Sequence, residues 1–273
     1  GIRLIGDIPL YVAGDSCDAT SHPSLFDHSV VAGAAPSLNH PEGQRWGMPV
    51  FDWPAHAADG FAWWLARLER EHELFDLLRI DHFRGFEAAW HVPADAATAG
   101  EGWWVPGAGA EILSALVDTA GPGTLVAEDL GVITPEVEAL RSRFGLPGMK
   151  VLQFAFDGNP DNPHLPRHHG EHSVVYTGTH DNDTTVGWWE HLDEQTRDRI
   201  RSSLVDPDEA MPWAFIHVAL ESTARLAVVP AQDLLGLGSE SRMNTPGTAQ
   251  GNWAWQAPAR AFDENLAATV RAL

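Results

Sequence analysis

The stretch Leu77-Leu78-Arg79-Ile80-Asp81-His82-Phe83-Arg84-Gly85 constrains this chain more than any other, because an apolar run ends abruptly in charged residues. A carboxylate at the end of a buried strand needs a partner or a task. In parallel α/β proteins the carboxyl ends of the strands form the floor of the functional site, so an Asp there reaches a ligand while its neighbours stay packed. Arg79, two positions earlier on the same face of a strand, is placed to compensate the Asp81 carboxylate by charge and hydrogen bonding. A nucleophilic carboxylate requires this pattern. A buried Arg/Asp pair that only satisfies itself would explain the same residues, and the stretch alone does not separate the two readings.

The theme recurs along the chain. Leu125-Val126-Ala127 runs into Glu128-Asp129, and Ser173-Val174-Val175-Tyr176 runs through Thr177-Gly178-Thr179-His180 into Asp181-Asn182-Asp183. Near the start, Arg3 to Pro9 reads as a short strand with Asp7 at its C-terminal end and Tyr11 just beyond. Further strands are expected at 149–156 and 225–230. Phe61, Trp64, Leu65, Leu68, His72 and Phe75 recur at helical spacing, which predicts an amphipathic helix over 60–76 with Trp64 in the core. Other helices are expected at about 110–119, from Pro135 behind an N-capping Thr134 to Gly145, and at about 190–204, 208–225 and 261–272.

Strands alternating with helices, with polar residues at the strand exits, indicate a parallel sheet of βα units. About six strands are expected, short of the eight in a closed (β/α)8 TIM barrel. The fold expectation is therefore an incomplete α/β (β/α)8 barrel spanning 1–273 as one catalytic region, its first two strands and an N-terminal extension lying before Gly1. A doubly wound sheet is the alternative, but no Gly-x-Gly-x-x-Gly follows the first strand. Residues 13–58 show little periodicity and read as a long inserted irregular loop, the kind that is usually functional. Residues 90–109, with Trp103-Trp104, read the same way. The exposed faces of such Trp residues suit stacking on the apolar faces of a ligand. His164, His168, His169 and His172 fall in a segment without regular metal-ligand spacing and read as a solvated loop.

A net charge of −21 argues against nucleic acid or an anionic membrane surface as partner and leaves neutral ligands open. Cys17 is the only cysteine, so no intrachain disulfide forms. No apolar run is long enough to span a bilayer and no basic-apolar leader is visible, which predicts a cytoplasmic protein.

Asp81, Glu128 and Asp181, each at a strand exit, are expected to converge on one mouth with His82, His180 and two arginines. Such a set suits a glycosidic-bond reaction: one carboxylate as nucleophile, one carboxylic acid protonating the leaving oxygen, a third fixing sugar hydroxyls. Metal-dependent hydrolysis also uses Asp and His clusters, but Arg79 and Arg84 would oppose a bound cation, so no metal or other cofactor is expected.

The segments Arg79-Ile80-Asp81-His82-Phe83-Arg84-Gly85-Phe86, Ala127-Glu128-Asp129-Leu130-Gly131, Gly178-Thr179-His180-Asp181-Asn182-Asp183 and Arg242-Met243-Asn244-Thr245-Pro246-Gly247-Thr248 resemble, in this order, the 4-alpha-glucanotransferases. These enzymes, also called amylomaltases, form glycoside hydrolase family 77 of the alpha-amylase clan. The resemblance runs over essentially the whole chain. It implies that Asp81 is the nucleophile, Glu128 the acid/base and Asp181 the transition-state stabiliser. It also implies that Asp7, Tyr11, Arg79 and His180 line the donor sugar subsite, that Gln44, Trp46 and Asn244 contact glucan, and that His82 belongs to the substrate-binding set. Met48 stands where the family pattern leads one to expect Asn. The implied substrates are maltooligosaccharides and α-1,4-glucans, and the implied reaction is transfer of a glucan segment with retention. An α-glucan hydrolase of the same clan and a non-catalytic glucan-binding remnant are the alternatives.

Overall fold

In the computed structural model, which describes residues 1–37 and 41–273, the apolar stretch before Asp81 is a short strand, buried from Leu78 to Ile80. Among the described residues ten strands follow in chain order: β1 (Ile5–Ile8), β2 (Phe26–Ala34), β3 (Gln44–Phe51), β4 (Leu77–Ile80), β5 (Ala88–Pro93), β6 (Trp103–Pro106), β7 (Leu125–Ala127), β8 (Gly148–Val151), β9 (Ser173–Tyr176) and β10 (Leu226–Val228). The fold is mixed α/β. The chain divides into two compact units, Gly1–Gly148 and Met149–Leu273.

The first unit holds two sheets. In one, β1, β4 and β7 are parallel in the order β1-β4-β7, with Asp7 opposite Arg79 and Ile80 opposite Ala127. This register brings the ends of the three strands level: the Asp81 N–H donates to the Ile8 carbonyl at 2.9 Å and the Glu128 N–H to the Ile80 carbonyl at 3.0 Å. Helices Ala62–His72 and Gly109–Ala120 pack together and bury Trp64, Leu68, Ile112, Leu113 and Leu116 in one cluster with Leu78, Ile80 and Leu125. Trp64 is thus a core residue, as its spacing predicted. Each such side chain withdrawn from water contributes on the order of 1.5–3 kcal/mol.

The second sheet corrects the sequence reading. Residues 13–58 are not one irregular loop: helix Cys17–Ser21, strands β2 and β3 and helix Trp53–Ala58 occupy much of that span. The segment 90–109 likewise contains most of β5 and all of β6. The strands form an antiparallel sheet in the order β3-β2-β5-β6.

In the second unit the order is β10-β9-β8, with β9 and β10 parallel. Val175, Leu152, Ile200 and Phe215 form its core. The strand expected over 149–156 stops at Val151 and turns into a short 3-10 helix, Leu152–Phe154. The helix expected at 190–204 is two, Thr185–His191 and Glu194–Arg201, because Asp193 accepts the Thr196 N–H at 2.9 Å and starts a new one. The histidine-rich segment is solvated only in part: His168 and His172 are exposed, whereas His164 is half-buried and His169 buried. His169 is buried between the Ser222 hydroxyl at 2.7 Å and the His164 carbonyl at 2.9 Å, and His164 Nδ1 accepts the Val151 N–H at 3.1 Å. Among the described residues no group of His, Cys, Asp and Glu is arranged to hold a metal ion. No helix of the described residues is long and apolar enough to cross a membrane.

Candidate active site

Because Asp7 and Arg79 are paired in register on β1 and β4, their side chains meet at the ends of those strands. Arg79 Nη1 donates to both Asp7 oxygens at 2.7 Å and to Asp81 Oδ1 at 3.1 Å. Arg79 is itself buried, whereas the Asp7 and Asp81 side chains are each 42% exposed. Burial alone would lower the guanidinium's proton affinity, but the charges of Asp7 and Asp81 outweigh it and raise it. The cation is fixed, and both carboxylates face it from the open side.

Glu128 follows β7 directly and is buried. Its Oε2 accepts the His82 N–H at 2.7 Å and its Oε1 the Leu130 N–H at 2.8 Å, so the backbone orients both oxygens. Burial pushes the carboxyl up to about 8, with Asp81's negative charge adding; Arg79 and the two N–H groups pull the other way. Each oxygen keeps a lone pair free of the backbone bonds, so a proton has a place to sit. Asp81 and Glu128 thus have opposite surroundings, one carboxylate half-exposed against a guanidinium and the other carboxyl withdrawn from water.

His82 adopts a left-handed backbone, φ 48°, which costs a non-glycine residue about 1 kcal/mol. Its N–H and the next one point to the same residue: Phe83 N donates to the Glu128 carbonyl at 3.1 Å. Burial, with the charge of Arg84, lowers the His82 imidazole to about 4, so the ring is neutral. Trp46, on β3, stands edge-on to that ring at 4.8 Å, and its Nε1 donates to Gln44 Oε1 at 3.0 Å. Tyr11 stacks on Phe51 at 5.8 Å and lies 6.2 Å from His82 and 6.1 Å from Trp46. Burial raises its phenol well above the usual range and keeps it protonated. Eight residues singled out in the sequence, Asp7, Tyr11, Gln44, Trp46, Arg79, Asp81, His82 and Glu128, therefore form one continuous group within the first unit.

The other three, His180, Asp181 and Asn244, form a group within the second unit. Asn244 Nδ2 donates to Asp181 Oδ1 at 2.5 Å, and His180 Nε2 lies 3.6 Å from the same oxygen. The His180 ring packs 5.1 Å from Trp253. Sequence reasoning missed Arg242, whose Nη2 donates to the Asp181 carbonyl at 2.7 Å and whose Nε donates to the Asn244 carbonyl at 2.8 Å. Its signal was a cation opening the same motif as Asn244. The main-chain donors of His82 and Leu130 left no side-chain signal at all.

The sequence profile of the family described as 4-alpha-glucanotransferase matches residues 1–261. The chain belongs to glycoside hydrolase family 77. Similar 4-alpha-glucanotransferases include that of Thermus thermophilus, 51% identical over 270 residues, with 94% of this chain and 54% of the relative covered. The chloroplastic/amyloplastic 4-alpha-glucanotransferase of Solanum tuberosum is 43% identical over 280 residues, covering 100% of this chain and 49% of the relative. Among solved structures, the amylomaltase from Streptococcus agalactiae in complex with acarbose matches with a TM-score of 0.95 at 33% identity, covering 100% of this chain and 57% of that one. The Corynebacterium glutamicum amylomaltase shares the fold at 19% identity, with a TM-score of 0.77 over 91% of this chain and 41% of that one. The chain spans about half the length of the curated family 77 relatives it matches.

Proposed function

We propose that the protein transfers a segment of an α-1,4-glucan from one maltooligosaccharide to another glucan or to glucose, by a retaining double displacement. The observation that carries this is the pairing of Asp81, compensated by Arg79 at 3.1 Å, with a buried Glu128 whose carboxyl stays protonated to about pH 8. Asp81 attacks the anomeric carbon while Glu128 gives its proton to the leaving glycosidic oxygen, forming a glucosyl–Asp81 ester. An acceptor hydroxyl then passes its proton to Glu128 and displaces Asp81 from the same carbon, so the configuration is retained. Retention calls for carboxyl groups roughly 5–5.5 Å apart.

In this reading Asp181 stabilises the transition state through sugar hydroxyls; Asp7, Tyr11, Arg79 and His180 hold the donor sugar; His82 belongs to the substrate-binding set; and Gln44, Trp46 and Asn244 touch glucan. The names of the relatives and the acarbose complex of the Streptococcus agalactiae amylomaltase support the substrate class. The fold reading that accompanies it is an incomplete (β/α)8 barrel, with β1, β4, β7, β8, β9 and β10 among its strands. Polyanions remain outside the expected partners on charge grounds. For location we propose the cytoplasm; the potato relative's name instead reads chloroplastic/amyloplastic, and cell fractionation decides.

Pure maltotriose tests the function. Transfer yields glucose plus a ladder of longer glucans at nearly constant reducing-end count. A steadily rising count with no product longer than the substrate overturns it in favour of hydrolysis.

A further inference from the structure

The segment Gln232 to Gly238 follows a strand and plays no part in the mechanism above, yet it carries a carboxylate with no access to solvent. Asp233 is 0% exposed, as are Thr177 and Thr185. Its Oδ2 accepts both threonine hydroxyls, from Thr177 at 2.6 Å and from Thr185 at 2.7 Å, and its Oδ1 accepts the Thr185 N–H at 2.8 Å. A buried carboxylate is costly unless such charge-assisted bonds compensate it. A carboxylate accepts only, so it can hold two hydroxyl donors on one oxygen at once.

The two threonines stand immediately before and immediately after residues 178–184, the segment that carries Asp181. Its tip has its own turn: Asn182 Oδ1 accepts the Thr179 N–H at 2.9 Å and the Thr179 hydroxyl at 2.8 Å. Its far side is held by the Ser239 hydroxyl on Asp183 Oδ2 at 2.7 Å and by Gln153 Nε2 on the Asp183 carbonyl at 2.9 Å. Asp233 ties the base. Without it the tip would keep its shape and its bonds to Arg242, Asn244, Ser239 and Gln153, but its two ends would be free to shift, and with them the direction in which the tip presents Asp181.

We propose that Asp233 is a positioning residue: by gripping the Thr177 and Thr185 hydroxyls together it clamps the base of the 178–184 loop and so aims Asp181 at the substrate. This rests on the reading of Asp181 as transition-state stabiliser. A group misaimed by about 1 Å loses transition-state interaction more than substrate binding. The clamp's failure therefore appears in kcat.

The test uses the protein as its gene encodes it, with three variants assayed for maltotriose disproportionation. Asp181→Asn checks the underlying reading by itself. The double variant Thr177→Val/Thr185→Val keeps side-chain shape and removes both hydroxyls; Thr177→Ser/Thr185→Ser keeps the hydroxyls. We expect the Val pair to lower kcat about tenfold or more with KM within about threefold, and the Ser pair to restore kcat to within about threefold. Hydrogen exchange at the backbone amides of 178–184 should rise in the Val pair and not in the Ser pair, whether or not activity is measurable. Unchanged exchange in a folded Val pair, or equal loss of kcat in the Val and Ser pairs, overturns the clamp. If instead Asp181→Asn is fully active, the stabiliser reading fails, and the proposal built on it is overturned with it.

Discussion

The Glu128 side chain accepts the backbone N–H of His82 at 2.7 Å, and His82 takes a left-handed conformation in doing so. The residue directly after the proposed nucleophile thereby orients the proposed acid. One turn sets both carboxyl groups, so displacement of one carries through to the other.

The raised Glu128 carboxyl gives a pH signature. Between the ordinary value of 4.5 and the folded value of about 8, the folded protein holds a proton that the unfolded chain has lost. The folded state binds more protons in that window, so this contribution is intact below about pH 4.5 and falls away as pH rises towards 8. Denaturant unfolding should show Glu128→Gln gaining stability relative to the unmodified protein from about pH 5 to 8. In the unmodified enzyme kcat should decline on the alkaline side near pH 8. A flat stability difference would remove the buried proton from the mechanism.

Asp81→Asn should lower turnover at least about 10⁴-fold, since no ester can form. Glu128→Gln should spare only substrates whose leaving group needs no proton, such as a glycosyl fluoride. Arg79→Lys offers a point charge in place of a guanidinium that bonds Asp7 and Asp81 together, and should cost about 10- to 100-fold in kcat. Initial rates on maltotriose and on the fluoride separate the three. Full activity of Arg79→Lys would leave Arg79 with a packing role only.

Water at roughly 55 M competes with the acceptor hydroxyl for the ester, so transfer needs an acceptor held in place and water kept out. In the proposed reading Trp46, held by Gln44 and packed against His82, does both. Trp46→Ala should raise the ratio of hydrolysis to transfer several-fold, read as reducing ends released per mole of longer glucan formed. An unchanged ratio assigns Trp46 to packing.

Gly33 lies on β2 where a Cβ would meet the Gln44 carbonyl at 2.3 Å, a backbone atom that cannot turn aside. Gly33→Ala should force β2 and β3 apart beside Gln44 and destabilise the protein by about 1–3 kcal/mol. Thermal unfolding measures the loss. The same variant should shift product partition in the direction of Trp46→Ala, because the displaced strand carries Trp46.

The parts of this fold that were legible in the sequence are those whose signal is local. An apolar run that stops at a carboxylate marks a strand exit without reference to anything distant, and Asp81 and Glu128 were found that way; Asp181 was found from the polar segment that follows β9, which ends at Tyr176. The β3-β2-β5-β6 sheet was missed because its pairing is long-range and its alternation is masked: Asp27-His28-Ser29 put three polar residues directly after Phe26 at the start of β2, and Pro49 lies within β3. Asp233 was invisible for a related reason. Nothing near it in sequence shows that two threonines some fifty residues earlier donate to it.

That Trp46 sits on a strand and not on a loop bears on the cost of binding. A loop aromatic must give up backbone freedom when a sugar settles on it, at about 1–2 kcal/mol for each residue that becomes fixed. In β3 that freedom is already gone, lost once when Gln44 and Arg45 pair with Ala34 and Gly33. If glucan settles on Trp46 as proposed, it would meet a backbone already ordered, and what is left to oppose its docking would be chiefly its own flexibility.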